Sequence, residues 1–164
     1  VAGQGEIIFV GTKRQVREIV KSEARRAGAF YLVQRWIGGL LTNFDSVRKN
    51  IEKLESLSED PHSTKKERLL IRRELAKLER EIGGLRGMKR QLVALVLASA
   101  VGEAIAIREA RQTGIPVVAI VDTNADPTLV DYPIPGNDDA SGAVGIIVKT
   151  LADAIEAGAK SKGN

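Results

Sequence analysis

The chain has 164 residues, 43% of them apolar and 28% charged, with a formal net charge of +4 at neutral pH. Cysteine is absent, which removes disulfides, thiol catalysis and cysteine-based zinc sites, and the single histidine, His62, cannot form a His–metal cluster within one chain. No apolar run approaches the ~18 residues needed to cross a bilayer, and the chain leads into its first strand without the basic-then-apolar pattern of a secretory leader, so no membrane partner and a cytoplasmic location are expected.

The length allows one domain with a substantial core and an appendage. Charge is unevenly spread: residues 13–90 carry most of the Lys and Arg, while Asp122, Asp126, Asp131, Asp138 and Asp139 follow Val121. A polyanion is expected to meet the first part of the chain.

In chain order, Glu6 to Val10 reads as a short buried strand between two glycines. A helix is predicted from about Lys13 to Ala27, where Val16, Ile19, Val20, Ala24 and Ala27 recur at helical spacing before Gly28. Phe30 to Val33 is a second strand, and strand–helix–strand with a tight entry is the unit of a parallel sheet. Gly11-Thr12-Lys13 lacks the spaced glycines of a phosphate loop. Lys13, Arg14 and Arg17 at the predicted helix start fit RNA phosphate better than a nucleotide, although each alone also reads as part of a solvated helix face.

The stretch Gln34 to Phe44 is the least ordinary in the chain. It holds the only tryptophan, Trp36, and Gly38 and Gly39 among apolar residues mark a backbone path that side chains would block. Thr42 or Asn43 is placed to cap a following helix, with Asp45 favoured by its dipole. Trp36 reads as a core ring plugging the base of the next helices, and Gln34, Arg35 and Asn43 as donors aimed at phosphate or bases beside it. Trp36, Gly38 and Gly39 are therefore expected to anchor the segment.

From Asn43 the period changes. Phe44, Val47, Ile51, Leu54 and Leu57 fall at three- and four-residue steps, and Asp60-Pro61 breaks the run next to a Pro-His-Ser turn. Thr64 with Glu67 predicts a capping box for a second helix, with Ile71, Leu75, Leu78 and Ile82 as its narrow stripe and Gly83-Gly84 as its end. The pair is expected to form an antiparallel helical hairpin, an arm of roughly 24 Å. Its excess of cations (Arg68, Arg72, Arg73, Lys77, Arg80) fits RNA or a protein neighbour, or solvation alone.

Arg86 to Arg90 forms a basic connector to a central strand over Leu92 to Leu97. A helix from about Val101 to Thr113, a strand over Val117 to Val121 and a short one over Tyr132 to Ile134 follow. The last helix is predicted from near Asn137 to Gly158, with Lys160 to Asn164 fraying. No internal repeat is evident, and the alternation argues a three-layer α/β domain with a parallel sheet and the hairpin inserted after the second strand.

The late acids allow one enzymatic reading. Asp122 stands at a strand end, where doubly wound folds bind ligands, and with Asp126, Asp138 and Asp139 it could hold a divalent cation. Against this, Asp138 and Asp139 are predicted at a dipole-favoured helix start, and Asp122-Thr123-Asn124 and Ala125-Asp126-Pro127 are ordinary turn chemistry. No nucleophile–base pair accompanies them, so no catalytic residue, metal or cofactor is assigned. A small-molecule or nucleotide-binding α/β enzyme using these aspartates remains the alternative, and a protein-only adaptor a third possibility.

Tyr31 to Phe44, with Gln34-Arg35-Trp36-Ile37-Gly38-Gly39 and Leu41-Thr42-Asn43-Phe44, resembles the signature of the S-two family of bacterial small-subunit ribosomal proteins. Phe9 to Gln15, Asp122-Thr123-Asn124 with Asp126-Pro127, and Ile134 to Ala140 resemble three further motifs of that family, in the same order over most of the chain. The resemblance implies a flavodoxin-like domain (1–42 and 85–164) with a five-stranded parallel sheet and an inserted coiled-coil hairpin (43–84). It implies a non-enzymatic constituent of the small subunit that contacts ribosomal RNA and neighbouring ribosomal proteins, including the S-one protein, with no small-molecule substrate. Lys13, Arg14, Arg17, Gln34, Arg35, Asn43, Arg48 and Lys49 are the expected RNA contacts. Relative to the family pattern, the residues before Glu6 do not match the N-terminal helical region, Val33 stands before Gln34, Ala98 to Glu103 follow the third strand, and no Arg falls early in the last helix.

Overall fold

A computed structural model describes residues 5–56, 64–88 and 92–160. Five strands form one all-parallel sheet: β1 (Glu6–Val10), β2 (Phe30–Leu32), β3 (Leu92–Leu97), β4 (Val117–Val121) and β5 (Tyr132–Pro135). Their order across the sheet is β2-β1-β3-β4-β5, the flavodoxin-like order of doubly wound folds. The helices are α1 (Arg17–Arg26), α2 (Phe44–Ser56), α3 (Lys65–Ile82), α4 (Ala104–Thr113) and α5 (Ser141–Lys160).

The period-two alternation of β1 splits the core into two layers. Ile7 and Phe9 pack with Val16, Val20 and Ala24 along α1 and with Val144, Val148 and Ala152 of α5. Ile8 and Val10 face Ala106, Ile107 and Ala110 of α4. Phe44, Val47, Ile51 and Leu54 of α2 join this second layer, and each gains about 1.5–3 kcal/mol on full burial before chain entropy is subtracted. The first of the two hairpin helices therefore fills the layer that a β2-to-β3 crossover helix would occupy. Along α3, Leu75 and Leu78 pack half-buried on the same cluster, while Leu69 and Leu70 are exposed. The Lys53 ammonium on α2 reaches the Glu74 carboxylate on α3.

Several expected local features are present. Thr64 and Glu67 form the reciprocal capping box, with Thr64 N–H donating to Glu67 Oε2 at 2.7 Å and Glu67 N–H to Thr64 Oγ1 at 3.3 Å. The Asp60-Pro61 break, the His62 turn, the Leu57 position and the terminal residues 161–164 lie outside the described residues. Helix starts differ from the sequence reading. Lys13 to Val16 form a turn closed by Val16 N–H on Lys13 O (3.1 Å), and α1 begins only at Arg17. α5 begins at Ser141 rather than Asn137, because the Asn137 side chain accepts the amides of Asp139 and Ala140 at 2.8 and 3.0 Å. No helix among the described residues is long and apolar enough to cross a membrane.

Two glycines explain how the hairpin leaves and rejoins the sheet. Gly39 has φ +85°, a conformation that L side chains rarely adopt. At Gly84 an added Cβ would lie 2.1 Å from the Tyr31 carbonyl oxygen of β2, a backbone contact that cannot yield. Gly38 corrects the sequence reading: a Cβ there meets nothing within 4 Å and its φ is not positive, so the blocked path involves Gly39 alone. Gly84→Ala is accordingly expected to cost about 1–3 kcal/mol and Gly38→Ala within about 0.5 kcal/mol. Urea-unfolding midpoints check this, and equal midpoints for the two variants would contradict the geometry.

Candidate nucleic-acid interface

The segment between β2 and α2 is held from inside by one carboxylate. Glu109 on α4 is only 8% exposed, on the face that also carries buried Ala106 and Ala110. Its Oε1 accepts the Trp36 indole N–H (3.1 Å) and the Gly39 amide (2.8 Å), and its Oε2 accepts the Leu41 amide (3.1 Å) and the Thr42 hydroxyl (3.4 Å). Burial alone would push this carboxyl up, but these donors outweigh it and hold Glu109 below the usual carboxylate range. Trp36 is thus half-buried against the α4 layer, with its polar edge satisfied. Thr42, one of the two expected helix caps, gives its hydroxyl to Glu109, while Ser46 N–H donates to the Asn43 carbonyl at 3.2 Å.

Three of the expected RNA contacts are tied up by the protein itself. Lys13 Nζ donates to Asp138 Oδ1 at 2.7 Å and to Asp139 Oδ1 at 2.8 Å. Burial works against its charge, but the two carboxylates raise its pKa overall. Arg17 Nε donates to the Thr12 carbonyl (2.9 Å) and its Nη1 to Gln34 Oε1 (3.0 Å), so Arg17 and Gln34 serve each other. Lys13 and Arg17 were expected to face a polyanion as cations at a helix start, and Gln34 as a donor beside Trp36. The sequence does not reveal that residues 138 and 139, some 125 positions later, return to the same strand ends.

The same network occupies the strand-end crevice. Thr12, in the loop after β1, donates its amide and hydroxyl to Glu103 Oε1 at 3.0 and 2.6 Å. Glu103 follows β3 and is 2% exposed; its burial raises its pKa despite those bonds. Ser99 Oγ donates to Asp138 Oδ2 at 2.5 Å, and Asp138 N–H to Asp122 Oδ2 at 3.3 Å. Thr123 N–H holds Asp122 below its usual range. Asp126 accepts the Thr128 amide and hydroxyl at the head of a short 3-10 turn. Asp138 is therefore a buried ion-pair partner at 2% exposure, not a dipole-favoured acid at the start of α5.

The remaining residues face outward. Arg14, Asn43, Arg48 and Lys49 are exposed. The Arg35 side chain is 70% exposed, with one 3.5 Å contact to Glu81 on α3. Arg48 has helical neighbours of opposite charge, Glu52 at 3.3 Å and Asp45 at 4.0 Å, pairs that contribute little at such exposure. Arg68, Arg72, Arg73, Lys77 and Arg80 line the exposed surface of α3. Among the described residues no cluster of three or more His, Asp or Glu is arranged to hold a metal ion.

Sequence reasoning missed Glu109 and Glu103. A signal existed for Glu109: it sits in the apolar stripe of α4, three residues after Ala106 and one before Ala110. A carboxylate there needs donors, and the adjoining glycine loop with its indole supplies them.

The fold and surface together define a class: a flavodoxin-like α/β scaffold with two helices, α2 and α3, between β2 and β3, its crevice between β1 and β3 closed by its own side chains and its cations displayed on loops and helices. The family model for ribosomal protein S2 matches residues 1–158, and the chain belongs to that family. Small ribosomal subunit protein uS2 of Thermobifida fusca is 51% identical over 96% of this chain and 56% of its own length. The protein of the same name from Beutenbergia cavernae is 49% identical over 96% of this chain and 47% of its own. That of Tropheryma whipplei (strain Twist) is 46% identical, again over 96% and 56%. The chain thus spans about half the length of these relatives.

The clamp has a pH signature. A depressed folded pKa means that Glu109 contributes stability above the unfolded carboxyl value of about 4.3, which is lost as pH falls through the lower folded value. Glu109→Gln cannot accept from all four donors and is expected to cost about 1–3 kcal/mol at pH 7. The gap between wild type and this variant should close as pH falls below about 4. Urea titrations followed by Trp36 emission measure it; a gap unchanged down to about pH 3 would show that the charge of Glu109 is not what holds the segment.

Proposed function

We propose that the chain is a non-enzymatic constituent of the small ribosomal subunit, residing with ribosomes in the cytoplasm. In this reading it binds ribosomal RNA through phosphates and contacts neighbouring ribosomal proteins, the S-one protein among them. The observation that carries it is the match to the ribosomal protein S2 family over residues 1–158. The outward placement of Arg35, Asn43, Arg48 and Lys49 around a fixed loop supports it. Arg14 on the β1–α1 turn adds a fourth exposed cation. Lys13, Arg17 and Gln34 shape the body from within rather than leading the contact with RNA, since each already has an internal partner.

The chain works as a body, residues 1–42 and 85–164, and an arm, residues 43–84, whose coiled-coil outer part meets RNA or a protein neighbour. A rigid body and a basic arm recognise folded RNA largely by shape and phosphate position. The enzymatic reading gains nothing from the strand-end acids: Asp122, Asp126 and Asp138 all accept bonds from the chain itself.

The test is co-sedimentation of the chain with small subunits, and binding to their RNA, at about 50 and about 200 mM salt. Affinity should fall steeply between the two, and Arg35→Gln should lower the log–log salt slope by about 1 without changing thermal stability. Salt-independent or undetectable association would defeat the proposal.

A further inference from the structure

We propose that Glu109 is a positioning residue for RNA binding: its buried carboxylate fixes the direction in which Arg35 and Asn43 leave the body. The inference rests on the RNA-binding reading above and names the group that makes that surface. The geometry is specific. Glu109 engages donors at Trp36, Gly39, Leu41 and Thr42, so the pinned segment begins one residue after Arg35 and ends one residue before Asn43. The Asn43 amide is further closed onto the Gly39 carbonyl at 2.7 Å. Arg35, by contrast, has only a 3.5 Å contact of its own and is 70% exposed. That single long contact to Glu81 is weak at such exposure, so the course of Arg35 is set mainly by the backbone at Trp36.

A side chain with this little support delivers its charge efficiently only if its backbone is already placed, because ordering a loop on binding subtracts from affinity. Glu109 supplies that order in the free protein. It contacts the loop from α4, on the sheet side, and is too buried to meet a phosphate itself. A carboxylate touching RNA would repel it; here the negative charge is spent on internal N–H groups, and a guanidinium one residue away points outward.

The experiment is a set of double-mutant cycles on binding of the intact chain to purified small-subunit ribosomal RNA. Arg35→Gln alone should weaken binding about tenfold, as expected for one charge-assisted contact. Glu109→Gln should weaken it at least as much, and the double variant should bind no worse than Glu109→Gln alone, because a mispositioned Arg35 has nothing left to lose. With Arg14→Gln, on a turn away from the clamp, the two effects should instead multiply. A loss of general stability would act alike in both cycles, so the contrast separates positioning from scaffolding. If Glu109→Gln does not fold, Trp36→Phe removes only the indole donor and serves in the same cycles.

Multiplying effects with Arg35→Gln, or wild-type affinity for Glu109→Gln, overturns the inference while RNA binding stands. Failure of the unmutated chain to bind, or an Arg35→Gln variant that binds normally, overturns the RNA-contact reading and the inference with it.

Discussion

A carboxylate placed inside a protein must be surrounded by donors or lose its charge, and Glu109 has four of them from one connecting segment. The chain between β2 and α2 has no regular hydrogen-bond ladder of its own, so its amides would otherwise need water. By taking the Gly39 and Leu41 N–H groups, Glu109 lets this segment lie against the α4 layer and carry Leu40 and Leu41 into the core at 1% and 6% exposure. That in turn fixes where α2 begins. Phe44, Val47, Ile51 and Leu54 then fall onto the same apolar face as Ile8 and Val10, and the hairpin is rooted in the sheet instead of being tethered to it.

The second constraint lies at the other end of the strands. In this strand order the crevice outside the carboxyl ends of β1 and β3 is where ligands bind. Here Thr12 and Glu103 close it across those two loops, and Lys13, Ser99 and Asp138 tie in the loop before α5. The buried charges are paired and hydrogen-bonded, which is the condition under which they can be kept at all. The ligand position that this strand order offers between β1 and β3 is filled by the chain's own side chains. A fold of this kind hosts many functions, and the site rather than the fold decides.

Periodicity made most of the architecture legible. Short apolar, β-rich runs at Glu6 to Val10, between two glycines, and at Leu92 to Leu97 marked strands, and helical spacing marked the helices. The Thr64–Glu67 capping box could be read at the level of single atoms, because capping is local chemistry. Boundaries slipped where a side chain replaced the expected backbone pattern, as Asn137 does ahead of α5. The site was only half legible. Arg35, Asn43 and Lys49 needed only local sequence to be placed on the surface, but the fate of Lys13 depended on Asp138 and that of Trp36 on Glu109, 73 residues away. Long-range polar pairing leaves little periodic trace, since one acid in an apolar stripe looks like noise until its donors are found.

These two networks divide the basic residues by a single criterion, and the division matters more than the net charge of +4. A cation bonded to an internal carboxylate has already exchanged its hydration for protein contacts, and a phosphate must displace those contacts to reach it. An exposed cation on a pinned backbone gives up only side-chain freedom and releases counterions when a phosphate arrives. Lys13 is of the first kind, with both carboxylates within 2.8 Å. Arg35 is of the second, its backbone set by neighbours and its side chain 70% exposed with one 3.5 Å contact to Glu81. The basic residues in the first half of the chain are therefore of two kinds, and following each carboxylate to its donors separates those held by the protein from those left on its surface.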